Sequence, residues 1–257
     1  MTAQDFRETM DCYSALPLWN RLQIWARLLC LPPILRAIDE YIPTTSNRLL
    51  DLGCGYGLVS LLLGNRRKQE IVGVEASPLR FSIAQQATAG IEHVTIQHGN
   101  IVDATIPLSD GILLIDVLCL FPDALQQQLL IKCASALADR GILLLKDNTT
   151  IPKWKYRYTH FEERIKLLLN AYGTRTLKQP NYRSPEAWHQ LITGAGLEVR
   201  HQLFMKSLAP YPGVIYICQK QINVGSRNSL PHVGTSPSFA ALTGGPKTDG
   251  RVSDRTR

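Results

Sequence analysis

The chain has 257 residues, 45% of them hydrophobic and 19% charged, and a formal net charge of +7. That length and apolar content suit one large α/β domain with a well-buried core. Six cysteines (Cys12, Cys30, Cys54, Cys119, Cys133 and Cys218) lie far apart and form no C-x-x-C pair. They give no zinc signature and read as reduced thiols of a cytoplasmic protein. Asp5, Glu8 and Asp11 precede any apolar run, which is not the pattern of a secretory signal.

The first segment with a pattern is Leu16 to Ile38, rich in Leu and Trp and carrying Arg21, Arg27 and Arg36. A membrane-spanning helix needs ~20 mostly apolar residues, and these arginines break the run. Pro32-Pro33 interrupts any continuous helix. The segment, within residues 1–45, predicts a pair of helices capping a site on the core that follows. A second reading is a basic amphipathic surface that touches a membrane or a lipid-like substrate.

The core opens with Leu49-Leu50-Asp51-Leu52-Gly53-Cys54-Gly55-Tyr56-Gly57. An apolar strand over 48–52 runs into a glycine-rich turn and then a helix over 57–65. Glycines let a ligand sit against the backbone, with the turn and helix N–H groups facing it. Asp51 stands at the carboxyl end of its strand, where open α/β sheets bind ligands. A carboxylate there suits an ammonium group and repels a bare phosphate. The spacing is G-x-G-x-G after an acid, whereas the dinucleotide fingerprint is G-x-G-x-x-G.

Strands follow near 70–75, 93–97, 111–116 and 141–146, with helices near 78–89 and 122–138. Ser77-Pro78 opens the first of these helices as N-cap and first helical residue. Alternation of apolar strands with helices argues a parallel sheet. The second strand ends in Glu75, an acid able to grip a ribose diol, and the fourth ends in Asp116.

Lys146-Asp147-Asn148 follows the fifth strand, and Pro152 to Phe161 then mixes cations, aromatics and His160 ahead of a helix through about Asn170. One reading of this stretch is a wall for a flat or acidic molecule, with His160 as base and Arg157 or Lys153 pairing with a carboxylate. The other is a lid helix whose aromatics pack on the core. Ser184-Pro185-Glu186 starts a helix that stops at Gly194 or Gly196, and Leu197–Phe204 and Gly213–Gln219 read as two strands. From Ile222 the chain is rich in Ser, Gly, Pro and Thr with few large apolar residues, so 222–257 is expected to be disordered.

Over residues 45 to 220 these features resemble the class I S-adenosylmethionine-dependent methyltransferase family. The resemblance implies a Rossmann-like, doubly wound α/β sheet, mostly parallel with a C-terminal antiparallel hairpin. It implies a catalytic domain over 46–221, with 151–183 as a substrate-facing insertion. It places S-adenosylmethionine against Asp51, Gly53, Cys54, Gly55, Glu75, Ala76, Asn100, Ile101 and Asp116. Asn100, or Asp103 beside it, falls where the family meets the adenine amine, and Tyr13 falls in a segment that covers the cofactor. Cys119 stands near the place where small-molecule members carry a His, which leaves His160 as the base by residue type.

The acceptor implied is a small molecule, methylated at an oxygen or carbon of an aromatic or acidic metabolite. Other readings stay open: an RNA methyltransferase because of the charge, an NAD-dependent oxidoreductase of similar fold, or a non-catalytic module that binds the cofactor. The N-P-P-Y signature is absent after Asp116, as is the Pro-Cys pair, since Cys119 follows Leu118. Neither a nucleic-acid motif nor metal-ligand spacing is present.

Overall fold

A computed structural model describes residues 1–168, 180–205 and 211–221. The expected disordered tail, and the expected helix end near Asn170, lie outside the described residues. Strands β1 (Arg48–Leu52), β2 (Glu70–Glu75), β3 (Val94–His98), β4 (Ser109–Ile115), β5 (Leu137–Asn148), β6 (Leu197–Phe204) and β7 (Gly213–Lys220) form one sheet in the order β3-β2-β1-β4-β5-β7-β6. The first five strands are parallel, while β7 runs antiparallel to both β5 and β6. This is the mostly parallel sheet with a terminal antiparallel hairpin that the resemblance implies.

Side chains alternate across the sheet, so each strand feeds two cores. One face presents Leu49, Ile71, Leu113, Leu144 and Ile217. It is covered by the helices α2 (Leu18–Cys30), α3 (Pro32–Tyr41), α4 (Leu58–Arg66) and α5 (Pro78–Thr88) through Ile24, Leu28, Ile38, Leu61 and Ile83. The other face presents Leu50, Val72, Ile112, Leu145 and Tyr216 to α6 (Asp123–Ala136) and α8 (Pro185–Gly194), with Trp188 fully buried at its centre.

The pair of helices predicted over Leu16 to Ile38 is present as α2 and α3. α1 (Ala3–Asp11) precedes the predicted pair and starts with a Thr2–Asp5 capping box. The break between α2 and α3 falls at Leu31, immediately before Pro32 at the first position of α3. These helices share one compact unit, Met1–Gln221, with the sheet.

Two other elements differ from expectation. β5 starts at Leu137, inside the predicted helix, because its first residues pair irregularly with β4 at Ser109. The helix expected after the Pro152 to Phe161 stretch starts earlier: α7 (Lys153–Leu168) takes in Lys153 to Phe161, as the lid-helix reading has it, but with Trp154, Tyr158 and Phe161 exposed rather than packed on the core. No helix bridges β3 and β4. The loop after Asn100 instead roofs a cavity of about 260 Å³ against Leu50, Val72 and Ile106, on the sheet face away from the glycine turn.

Candidate functional site

The turn after β1 places the chemistry. Gly53 and Gly55 adopt φ of 77° and 60°, the left-handed region. A Cβ on Gly53 would stand 2.7 Å from Val117 Cγ2, so glycine is required there by space as well as by conformation. The N–H groups of Gly53 and Cys54 both donate to the Val74 carbonyl, at 2.8 and 3.0 Å, pinning the turn to the end of β2.

Glu75 completes this link. Its Oε2 accepts from the Gly55 N–H at 2.9 Å and its Oε1 from the Ser77 N–H at 2.8 Å. Each carboxylate oxygen keeps a further lone pair for a ligand hydroxyl. Asp51 is buried one strand away and accepts from Ser60 Oγ at 2.7 Å. Burial pushes its carboxyl up to about 6; the Ser60 bond works against the shift and the Glu75 charge adds to it. Cys54 is held as a neutral thiol, pushed well up by burial and by the charges of Asp51 and Glu75.

The rim of the turn is cationic and aromatic. The Tyr13 hydroxyl, itself buried, donates to the Tyr56 carbonyl at 2.8 Å. Arg27 and Arg80 lie 5.5 and 5.7 Å from the Tyr56 ring centre. A Cβ on Gly55 would meet the Arg27 guanidinium at 3.5 Å and no other heavy atom within 4 Å. The turn is therefore open on its cation-lined side.

At the end of β3 the Gly99 N–H donates to the Glu75 carbonyl at 3.0 Å. Asn100 Nδ2 donates to Asp103 Oδ2 at 2.9 Å, while Asn100 Oδ1 accepts from the Val102 N–H. Asn100 and Asp103, the two alternatives for one role, thus form a single polar turn. Ile101 is buried beneath it, and exposed Ala76 shares its carbonyl with His98 Nε2 at 3.0 Å.

A second charged group sits at the ends of β4 and β5. Asp116 takes φ of 56° directly after β4, and its carboxylate pairs with Lys146 Nζ at 2.5 Å. Lys146 is 5% exposed and Asp147 fully buried. Asp147 Oδ2 accepts from the Cys119 N–H and its Oδ1 from the Asn148 N–H. Burial and the Asp116 charge push the Asp147 carboxyl well up, against the pull of the Cys119 bond and Lys146. Burial disfavours the Lys146 ammonium, but Asp116 and Asp147 keep its pKa above the ordinary lysine value. The result is a buried cation paired with Asp116, with the neighbouring buried Asp147 bonded instead to the Cys119 and Asn148 N–H groups.

His160 lies on α7 against Tyr156, ring centres 5.6 Å apart, and Tyr156 meets Tyr182 edge-on. Tyr158 meets Tyr211, whose hydroxyl donates to Glu162 Oε1 at 3.1 Å. The Cys30 thiol is raised by burial and senses Lys146, Asp116 and Glu162, so the end of α2 and the middle of α7 converge on the charged group. Lys153 and Arg157 point to solvent.

The structure therefore gathers Asp51, Gly53, Cys54, Gly55 and Glu75 at the ends of β1 and β2, with Gly53 and Cys54 bonded to Val74, Gly55 to Glu75 and Asp51 to Ser60, sets Ala76, Asn100 and Ile101 beside them, and pairs Asp116 with Lys146. His160 belongs to the aromatic wall. Sequence reasoning put Lys146 and Asp147 among the substrate-side candidates, in a loop after the fifth strand, with no specific role; they lie within β5. The available signal was a lysine and an acid closing an otherwise apolar strand. Among the described residues, no cluster of three or more His, Cys, Asp or Glu is placed to hold a metal.

A methyltransferase-domain family matches residues 22–202. No curated protein matches the chain by sequence. Among solved structures, a mitomycin 7-O-methyltransferase is 19% identical with a TM-score of 0.63, over 84% of this chain and 60% of that one. A Leishmania major S-adenosylmethionine-dependent methyltransferase is 15% identical with a TM-score of 0.61, over 84% and 83%. An O-methyltransferase of neocarzinostatin biosynthesis, solved with S-adenosylmethionine and 2-hydroxy-5-methyl naphthoic acid, is 19% identical with a TM-score of 0.57, over 82% and 60%. The chain thus spans less than two thirds of the first and third of these structures. With the domain matched over most of its length and this sheet order, the chain belongs to the methyltransferase-domain family, class I, whose cofactor is S-adenosylmethionine.

Proposed function

We propose that this protein transfers a methyl group from S-adenosylmethionine to a small molecule, at an oxygen or carbon of an aromatic or acidic metabolite. The observation that carries this reading is the pair of acids at neighbouring strand ends, Asp51 held by Ser60 and Glu75 bonded to the Gly55 N–H, beside the open, cation-lined side of the turn. It fits a zwitterion joined to a ribose. Asp51 takes the ammonium, the Gly53–Gly55 turn lines the methionine end, and Arg27 faces its carboxylate. Glu75 takes the ribose hydroxyls through its remaining lone pairs. Asn100 and Ile101, with Ala76, frame the adenine.

The bound cofactor supplies an activated methyl on a sulfonium centre. The protein's own tasks are then alignment of the acceptor and exclusion of water. The wall of Tyr156, Tyr158, Tyr182 and Tyr211 suits a flat acceptor. His160 is the group proposed to take the acceptor's proton where the acceptor arrives protonated. Support for a small aromatic acceptor comes from two structural relatives, one solved with a hydroxynaphthoic acid and one named for mitomycin O-methylation.

The test is a panel of hydroxy-aromatic carboxylates, phenols and aliphatic acids incubated with the full chain and S-adenosylmethionine. Release of the demethylated cofactor with a methylated product seen by mass spectrometry supports the proposal. Product from RNA alone contradicts it.

A further inference from the structure

Helices α2 and α7 each carry an apolar stripe that stays largely exposed among the described residues, with Tyr158 alone of the α7 stripe meeting another ring, that of Tyr211. On α2, Leu18, Leu22, Trp25 and Leu29 recur at positions 0, 4, 7 and 11 of a helical stripe and stay exposed, with Trp19 beside them. The core-facing side of the same helix is a different set, Ile24 and Leu28. On α7, Trp154, Tyr158, Phe161 and Ile165 repeat the same spacing. Exposure in the two stripes runs from 41% at Ile165 to 69% at Leu18. Isolated exposed apolar residues are ordinary, but aligned stripes on two helices are not.

The charge around the stripes is one-sided. Together the two helices carry seven Lys and Arg against two Glu. Lys153, Arg157 and Arg164, all exposed, line one flank of the α7 stripe, and Lys155 sits 5.5 Å from the Trp154 ring on the other. Trp, Tyr, Leu and Phe on one face with flanking cations are the composition of helices that lie in a bilayer interface. A second copy of the chain is disfavoured as the occupant. A two-fold interface sets the same patch against itself and would bring these cations together.

We propose that the exposed faces of α2 and α7 form a docking surface for an anionic lipid bilayer. The apolar tips enter the boundary between headgroups and acyl chains, and the cations pair with lipid phosphates. Among the described residues no helix is long and apolar enough to cross a membrane, so the contact is peripheral.

Flotation of the full chain with vesicles tests this, using phosphatidylcholine alone and phosphatidylcholine mixed with phosphatidylglycerol. The expected result is binding to the mixed vesicles at least about tenfold tighter than to the neutral ones, and weakened by salt. The combination Trp19→Ser, Trp154→Ser and Phe161→Ser removes it without lowering the thermal midpoint, since all three residues are exposed. The pair Lys153→Glu and Arg157→Glu removes the preference for the anionic vesicles. Equal binding to both vesicle types, or to neither, overturns the proposal. So does a dimer in light scattering that the serine variants dissociate, because the stripes would then be a seam between copies.

Discussion

The Gly55 amide and the Glu75 carboxylate, twenty residues apart in sequence, are joined by a 2.9 Å hydrogen bond. The bond makes the glycine turn and the end of β2 one rigid unit, with the Ser77 N–H holding the second oxygen. Charge-assisted bonds of this kind contribute about 1.5–3 kcal/mol each. Glu75→Ala should therefore weaken binding of S-adenosylmethionine and its demethylated product about 10- to 100-fold by calorimetry. Glu75→Gln should fall between the two. It keeps the length of the side chain but loses one acceptor oxygen and the charge.

In the proposed cofactor site, Asp51 should make binding pH-dependent. Its folded-state carboxyl sits at about 6, raised mainly by burial. Affinity for a ligand with an ammonium group should rise as pH rises through about 6, with proton release on binding, and Asp51→Asn should flatten that profile. The stability of the free protein moves the other way. A raised carboxyl contributes stability that is present below the ordinary carboxylate range and is lost as pH rises through its folded value. Asp51→Asn should therefore raise the thermal midpoint at about pH 8 and change it little at about pH 4. A parallel change in both readouts would contradict the assignment.

Lys146 is a buried cation paired with Asp116, and the charge of the adjacent buried Asp147 also favours its ammonium. Removing one partner of a buried pair costs about 3–5 kcal/mol, and the half-exposed Asp116 puts this case at the low end. Lys146→Met should destabilise the protein, more at high pH than at low. Without the ammonium the Asp147 carboxyl, already raised by burial, rises further and resists ionisation. Thermal midpoints measured across the neutral range check this. A pH-independent loss would mean that packing alone is involved.

The proposed role of His160 separates chemistry from binding. His160→Gln should lower kcat by about 10²- to 10⁴-fold on a protonated acceptor and leave affinity for S-adenosylmethionine unchanged. An unchanged kcat would move the proton-accepting role elsewhere in the site, with the Asp116–Lys146 pair next in position.

The proposed cofactor half of the site is legible in the sequence because its demands are local. An acid at a strand end, glycines at fixed spacing and a second acid one strand later mark Asp51, Gly55 and Glu75, which the structure brings to neighbouring strand ends. The acceptor half was less legible because it is assembled from distant segments. Lys146 and Asp147 close an apolar run, and only the sheet register brings Lys146 to Asp116. For the start of α7 a lid helix is only one of two readings of the sequence, because its regular apolar spacing is outnumbered by cations and polar residues, and that stripe faces outward. α1 has few apolar residues, so its periodicity carried no signal, and its start is fixed by the Thr2 and Asp5 cap.

The most direct test of the account is calorimetric titration of the full chain and of Glu75→Ala with S-adenosylmethionine, its demethylated product and NAD. The account predicts micromolar binding of the first two to the natural chain, a loss of about tenfold or more in the variant, and no response to NAD. Equal affinity in both proteins, or binding of NAD alone, would contradict it.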